Sequence, residues 1–191
     1  MKKIKFRDIF VPTISLFLIC IVVSVLLAGT NELTKGPIAE ISQQKAQEAM
    51  MAVCPDAVTF EGEKGLELEC YRGLDKDGNL AGYAIPSASK GYGGDVSVMV
   101  GISPEGDVTG VEILSQSETP GLGANCVKET FTDMFRQPAP EDGEFDVVKD
   151  GTGGEGGRID ALTGATITTN AVTTAVNNAI NVYKSLAGGG N

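Results

Sequence analysis

Residues 9–30 form 22 consecutive positions without a charge, dense in Ile, Leu, Val and Phe. A helix rises about 1.5 Å per residue, so this run covers roughly 33 Å, enough to cross a hydrocarbon core of about 30 Å. It is also longer than the apolar region of an ordinary cleavable signal. Ile19 stands before Cys20, where a lipidated cysteine needs a small residue, and Leu26-Leu27-Ala28 lacks the small residue that cleavage after Ala28 requires. The segment therefore reads as an uncleaved anchor, with Pro12 in its first turn, where the missing N–H costs least. Lys2, Lys3, Lys5 and Arg7 precede it, whereas the following flank holds only Glu32 and Lys35. This bias predicts a cytoplasmic tail at 1–8, a span at 9–30 and an extracytoplasmic domain at 31–191.

Of the 15 Lys and Arg and 25 Asp and Glu, residues 1–8 take four basic groups and Asp8. The remainder holds 11 basic against 24 acidic residues, a net of −13. A domain this acidic repels polyphosphate, so no nucleic-acid partner is expected. The chain has no His, which excludes His-ligated metals, Ser-His-Asp and Cys-His catalysis, and bis-His haem. Chemistry must then come from a cofactor or from other groups. Cys20 lies in the span; Cys54, Cys70 and Cys126 show no C-x-x-C spacing, which argues against a metal or cluster site. Buried thiols are expected for these three, with a Cys54–Cys70 disulfide as the alternative.

Beyond the span, Gly36-Pro37 reads as a break. Ile38, Ile41, Ala46, Ala49, Met50 and Val53 then recur at helical spacing up to Pro55. Strands are predicted at 57–61, 66–72, 80–86, 95–102 and 108–114. Turns are expected at Asp75-Lys76-Asp77-Gly78-Asn79 and Pro104-Glu105-Gly106-Asp107, with a connection over 87–94. Val127, Phe131, Met134 and Phe135 predict a helix, and the five glycines in 150–157 a flexible connection, with one further strand near it. A last helix, 169–186, lines up Val172, Ala175, Val176, Ala179, Ile180, Tyr183 and Leu186 on one face, leaving Asn177, Asn178, Asn181 and Lys184 for water. The order predicts an α+β domain: a mainly antiparallel sheet with flanking helices.

Three motifs carry chemistry. In Asp160-Ala161-Leu162-Thr163-Gly164-Ala165-Thr166-Ile167-Thr168-Thr169, four threonines fall within seven positions around Gly164-Ala165, leaving amides open to an anion at a helix start. Capping of the last helix by Thr166, Thr168 or Thr169 is the structural alternative. Glu118-Thr119-Pro120-Gly121-Leu122-Gly123 reads as a type II turn, with Gly121 at positive φ. Gly91-Tyr92-Gly93-Gly94 reads as a glycine-rich hairpin turn.

The first run resembles the flavinylation motif of the FMN-binding domain family, Asp-x-x-(Ser/Thr)-Gly-Ala-(Thr/Ser)-x-Thr, whose last threonine corresponds to Thr168. The E-T-P-G-L-G loop and the G-Y-G-G turn follow the pattern of the G subunit of Rnf-type ion-translocating ferredoxin:NAD⁺ oxidoreductases. That pattern is shared with the C subunit of the sodium-pumping NADH:quinone reductase. The resemblance implies FMN joined by a phosphoester to Thr168, attached by a flavin transferase that uses FAD and a divalent metal. It implies cofactor contacts from Thr163, Gly164, Ala165, Thr166, Glu118, Thr119, Gly121 and Leu122, with Leu122 and backbone amides against the isoalloxazine ring. Tyr92 would support the loop indirectly. Family members often carry His two positions before the glutamate; here Gln116 stands there.

The implied role is an electron-transfer subunit of a redox-driven translocase, with no complete active site of its own. The implied partners are an iron–sulfur-bearing membrane pair and a second, multi-span flavin-carrying subunit. A stand-alone anchored flavoprotein serving an extracellular acceptor and a non-redox binding module are the alternatives. The coupling ion is not written in the span, which carries no charge.

Overall fold

The computed structural model describes residues 6–63, 69–140 and 144–188. Residues 1–5 of the basic tail and 66–68 of the second expected strand lie outside them. Two compact units divide at Gln44 and Lys45.

The first unit is the long apolar part of helix α1, Phe6–Val53. Every side chain from 10 to 45 is exposed, so the apolar residues point outward all round, as in a helix whose solvent is lipid rather than water. By length and composition it can cross a bilayer. Two readings need correction. The helix starts at Phe6, which places Pro12 beyond its first turn, and it runs through Gly36-Pro37 without a break. Proline within a helix removes one i→i−4 bond but does not forbid continuation where its neighbours remain helical.

In the second unit, five strands form an antiparallel meander in sequence order: β1 Thr59–Glu63, β2 Cys70–Leu74, β3 Leu80–Lys90, β4 Asp95–Ile102 and β5 Val108–Ser115. Val96, Val98, Val100 and Ile102 alternate along β4 and are all buried in the larger core. Helix α3, Thr166–Gly188, lays Val172, Ala175, Val176, Ala179 and Ile180 into that core, the apolar face read from the 3.6-residue period. On the opposite face of the sheet, Ala84 and Met99 meet Ala49, Met50 and Val53 from the end of α1. A Cβ on Gly101 would collide with the carbonyl oxygen of Val53, which also accepts the Thr109 hydroxyl at 2.6 Å. The bare glycine lets the helix end dock on the strand.

Strand β3 extends through 87–90, expected as a connection, because Ser87–Lys90 pair in register with Val98–Asp95. The helix expected around Phe131 is three short pieces: a 3-10 turn Gly123–Val127, α2 Glu129–Thr132 and a 3-10 turn Asp133–Phe135. Extended Lys128 (ψ 136°) interrupts them, and the edge-to-face pairs Phe131–Phe135 and Phe135–Phe145, each at 5.6 Å, hold them to the core. Val127 faces outward.

Two short parallel strands, β6 Asp146–Val148 and β7 Arg158–Asp160, flank the glycine-rich stretch. That stretch is a built turn: the Asp160 carboxylate accepts N–H bonds from Gly151 (3.0 Å) and Gly153 (3.1 Å). Asn177, expected in water, clips the backbone of Phe145 through both amide atoms, at 2.9 and 3.2 Å. The cysteines are thiols, and Cys54 and Cys70 fall in different core clusters with no disulfide between them.

Candidate functional site

The threonine-rich run ends in a tight turn into α3. Ala165 N–H donates to the Leu162 carbonyl at 2.9 Å, with Gly164 at φ +73°, a conformation few other residues adopt. The helix begins at Thr166, three residues earlier than its apolar face indicates. Thr169 closes this turn from inside the helix: its hydroxyl accepts the Leu162 N–H at 3.0 Å and donates to the Ala165 carbonyl at 3.1 Å. With the turn held by Thr169, the Thr168 hydroxyl is released from any local duty. It donates instead to Oε2 of Glu118, 50 residues away. Thr168 is 1% exposed and Glu118 6%.

Glu118 arrives on the loop after β5. Its own N–H donates to Oε1 of Gln116 at 2.6 Å, and its Oε1 accepts the Gly93 N–H at 2.9 Å. The Gly93 N–H thus supports the loop from the G-Y-G-G turn, and Tyr92 lines the same cleft. The type II turn is as read: Leu122 N–H reaches the Thr119 carbonyl at 3.1 Å across Pro120 and Gly121 (φ +79°). Three further glycines act by lacking a side chain. A Cβ on Gly91 would strike Glu118 Oε1; one on Gly123 would strike Thr168 Oγ1 and lie 2.7 Å from Glu118 Oε2. One on Gly93 would strike the Ser117 carbonyl oxygen.

Loop and helix start enclose a cleft of about 630 Å³, with Glu118 and Thr168 in its lining. Thr119, Gly164, Ala165 and Thr166 also border it. Tyr92, Leu122 and Ile167 form its apolar walls and are 74%, 44% and 55% exposed. An adjoining hollow of about 400 Å³ takes Thr163 and shares Gly164 and Thr166, with Lys149 on its edge. Gly121 borders neither hollow; it shapes the loop. Burial, and secondarily the charge of Glu118, push the nearby Cys126 thiol above its ordinary pKa.

Sequence reasoning missed Ile167, read Gly123 only as a bend in the loop and gave Tyr92 only an indirect part. An apolar residue at the x of T-x-T, on the first turn of an amphipathic helix but off its core face, was the available signal for Ile167.

Residues 91–181 match the FMN-binding domain family, and that interval contains both walls of the cleft. The G subunit of the Na⁺-translocating ferredoxin:NAD⁺ oxidoreductase complex of Acetobacterium woodii is 36% identical over 97% of this chain and 96% of its own length. The G subunit of the proton-translocating complex of Clostridium ljungdahlii is 33% identical over 96% of each chain. The chain belongs to this family of G subunits. Among solved structures, it resembles the C subunit of the Na⁺-translocating NADH-quinone reductase of Parabacteroides distasonis, with a TM-score of 0.51 and 27% identity over 61% of this chain and 60% of that one. NqrC of Shewanella oneidensis, at a TM-score of 0.50 and 20% identity over 68% of each chain, shares the fold.

The residues fit FMN. The cleft lies within the roughly 300–1,000 Å³ of small-molecule sites, its walls offer apolar surface to a flat ring, and a hydroxyl lies in its lining. The first turn of α3 also presents N–H groups that a helix leaves without i−4 partners.

Proposed function

We propose that this chain carries FMN esterified through its phosphate to Thr168 and serves as an electron-transfer subunit of an ion-translocating ferredoxin:NAD⁺ oxidoreductase complex. The observation that carries the attachment site is the division of labour between adjacent threonines. Thr169 spends its hydroxyl on the turn, whereas Thr168 turns its hydroxyl toward the cleft and Glu118.

Bound flavin supplies the redox chemistry, taking up and releasing electrons. The chain's residues hold and tune it. The start of α3 favours the phosphate's negative charge by about 0.3–1 kcal/mol. Leu122 and Ile167, on the apolar walls of the cleft, would hold the ring, and the turn through Gly121 sets how far Leu122 reaches. Gly164, Ala165 and Thr166 would hold the phosphate, with Thr163 beside them, and Glu118 and Thr119 would complete the lining near Thr168. A tether suits a cofactor held outside the cytoplasm, where a dissociated flavin is lost.

In this reading 1–8 is a cytoplasmic tail, 9–30 the membrane span and 31–191 the extracytoplasmic domain. Electrons arrive from an iron–sulfur-bearing membrane pair and leave to a second flavin on a multi-span partner; a flavin transferase performs the attachment. Protease added to intact spheroplasts should remove the acidic domain, and full protection would reverse the orientation. For the attachment site, Thr168→Ala should abolish flavin fluorescence of the denatured band while Thr166→Ala retains it; fluorescence surviving in Thr168→Ala would move the site elsewhere.

A further inference from the structure

An alcohol is a weak nucleophile until something takes its proton, and this chain places an acceptor against Thr168. We propose that Glu118 is the general base for flavin attachment: it receives the Thr168 proton as Oγ1 attacks the flavin-side phosphorus of a flavin dinucleotide. This rests on the proposed reading of Thr168 as the attachment residue. In the step, an Oγ1–P bond forms and the pyrophosphate P–O bond to the adenylate breaks. Adenosine monophosphate leaves with that bond's electron pair, and the proton passes to Glu118 Oε2. Nothing is oxidised or reduced.

The carboxylate is built into position. Oε1 is held by the Gly93 N–H at 2.9 Å and the backbone by Gln116 at 2.6 Å, which leaves Oε2 for the Thr168 hydroxyl. Gly91 and Gly123 leave the space its two oxygens occupy. Among the described residues lining the cleft, Glu118 is the one carboxylate; the other ionisable side chain there is the Tyr92 phenol, 74% exposed. The chain has no His to take the role instead. The acceptor protein, and not the transferase alone, thus contributes a catalytic group, which would restrict attachment to chains that present the loop correctly folded over the threonine.

Glu118→Gln separates proton transfer from shape. Because the Gly93 N–H demands an acceptor, the Gln carbonyl oxygen takes that bond and its NH₂ faces Thr168, so the side chain donates where the carboxylate accepted. The test uses the full chain in detergent with purified transferase, FAD and Mg²⁺, following initial rates of flavin incorporation at several chain concentrations, with melting temperature alongside. Glu118→Gln should lower kcat for attachment by about 100-fold or more, with KM for the chain and melting temperature unchanged, and Glu118→Asp should recover part of the rate. Attachment to the Gln variant within three-fold of wild type overturns the proposal. So does a loss carried by KM, or one that follows a lowered melting temperature and is not recovered by Asp. If wild type itself takes no flavin, or takes it elsewhere, the assignment of Thr168 falls instead.

Discussion

On the helix side of the cleft, regular structure sets position. The Leu162–Ala165 turn fixes where α3 begins, the helical period then fixes that Thr169 faces back to the turn, and Thr168 faces Glu118. On the loop side there is no repeating structure, and missing side chains set position instead: Gly91 and Gly93 of one turn and Gly123 of the loop let the two segments close around one carboxylate. The two sides therefore fail differently. A change at Thr168 or Thr169 removes a hydroxyl, while a side chain added at Gly91, Gly93 or Gly123 puts atoms where none fit.

Gly123→Ala is the sharpest test of that difference. Its methyl would strike Thr168 Oγ1 and crowd Glu118, whose Cβ would lie 2.9 Å away. Overpacking should cost about 1–3 kcal/mol in thermal or denaturant unfolding, and displacement of the two reacting groups should slow flavin attachment by about 100-fold. Wild-type attachment by this variant would show that the bare glycine is not required to seat Glu118 against Thr168. Thr169→Ala comes next: it strands the Leu162 N–H and should cost about 1–2 kcal/mol of stability, yet leave the denatured band fluorescent. Gly121→Ala should matter least. Nothing lies within 4 Å of its added methyl, so only the positive φ is penalised, by roughly 1 kcal/mol. Attachment should stay near wild type, and a flavin redox titration will show whether the shifted Leu122 changes the potential.

Features repeating along the chain are legible in the sequence itself. The four alternating apolar residues of β4, the apolar face of α3, the Pro120-Gly121 turn and the outward-facing apolar run of α1 are local patterns, each governed by one period or one turn rule. Contacts between distant segments are not. Nothing near Glu118 in sequence announces Thr168, and Gly123 looks like a bend although its φ is ordinary and its use is steric. Asp160 could be read as a motif position but not as the acceptor that closes the 151–153 turn. Asn177, at a polar position of an amphipathic helix, gave no hint of its clip on Phe145. The 3-10 turns near Phe131 escaped because buried aromatics at positions 131 and 135 suit one regular helix turn as well as two short ones.

The coupling ion is not set by overall similarity: relatives at 36% and 33% identity are named for Na⁺ and for protons. The proposed function rests instead on one bond, from Thr168 to FMN. Trypsin cuts after Arg158 and next after Lys184, so one peptide, 159–184, carries every threonine of the motif. Tandem mass spectrometry of that peptide, from protein purified out of its native membrane, should find it heavier by one esterified FMN, with fragment ions placing the flavin on Thr168. An unmodified peptide, or the flavin on Thr163, Thr166 or Thr169, would rule out Thr168 as the attachment residue.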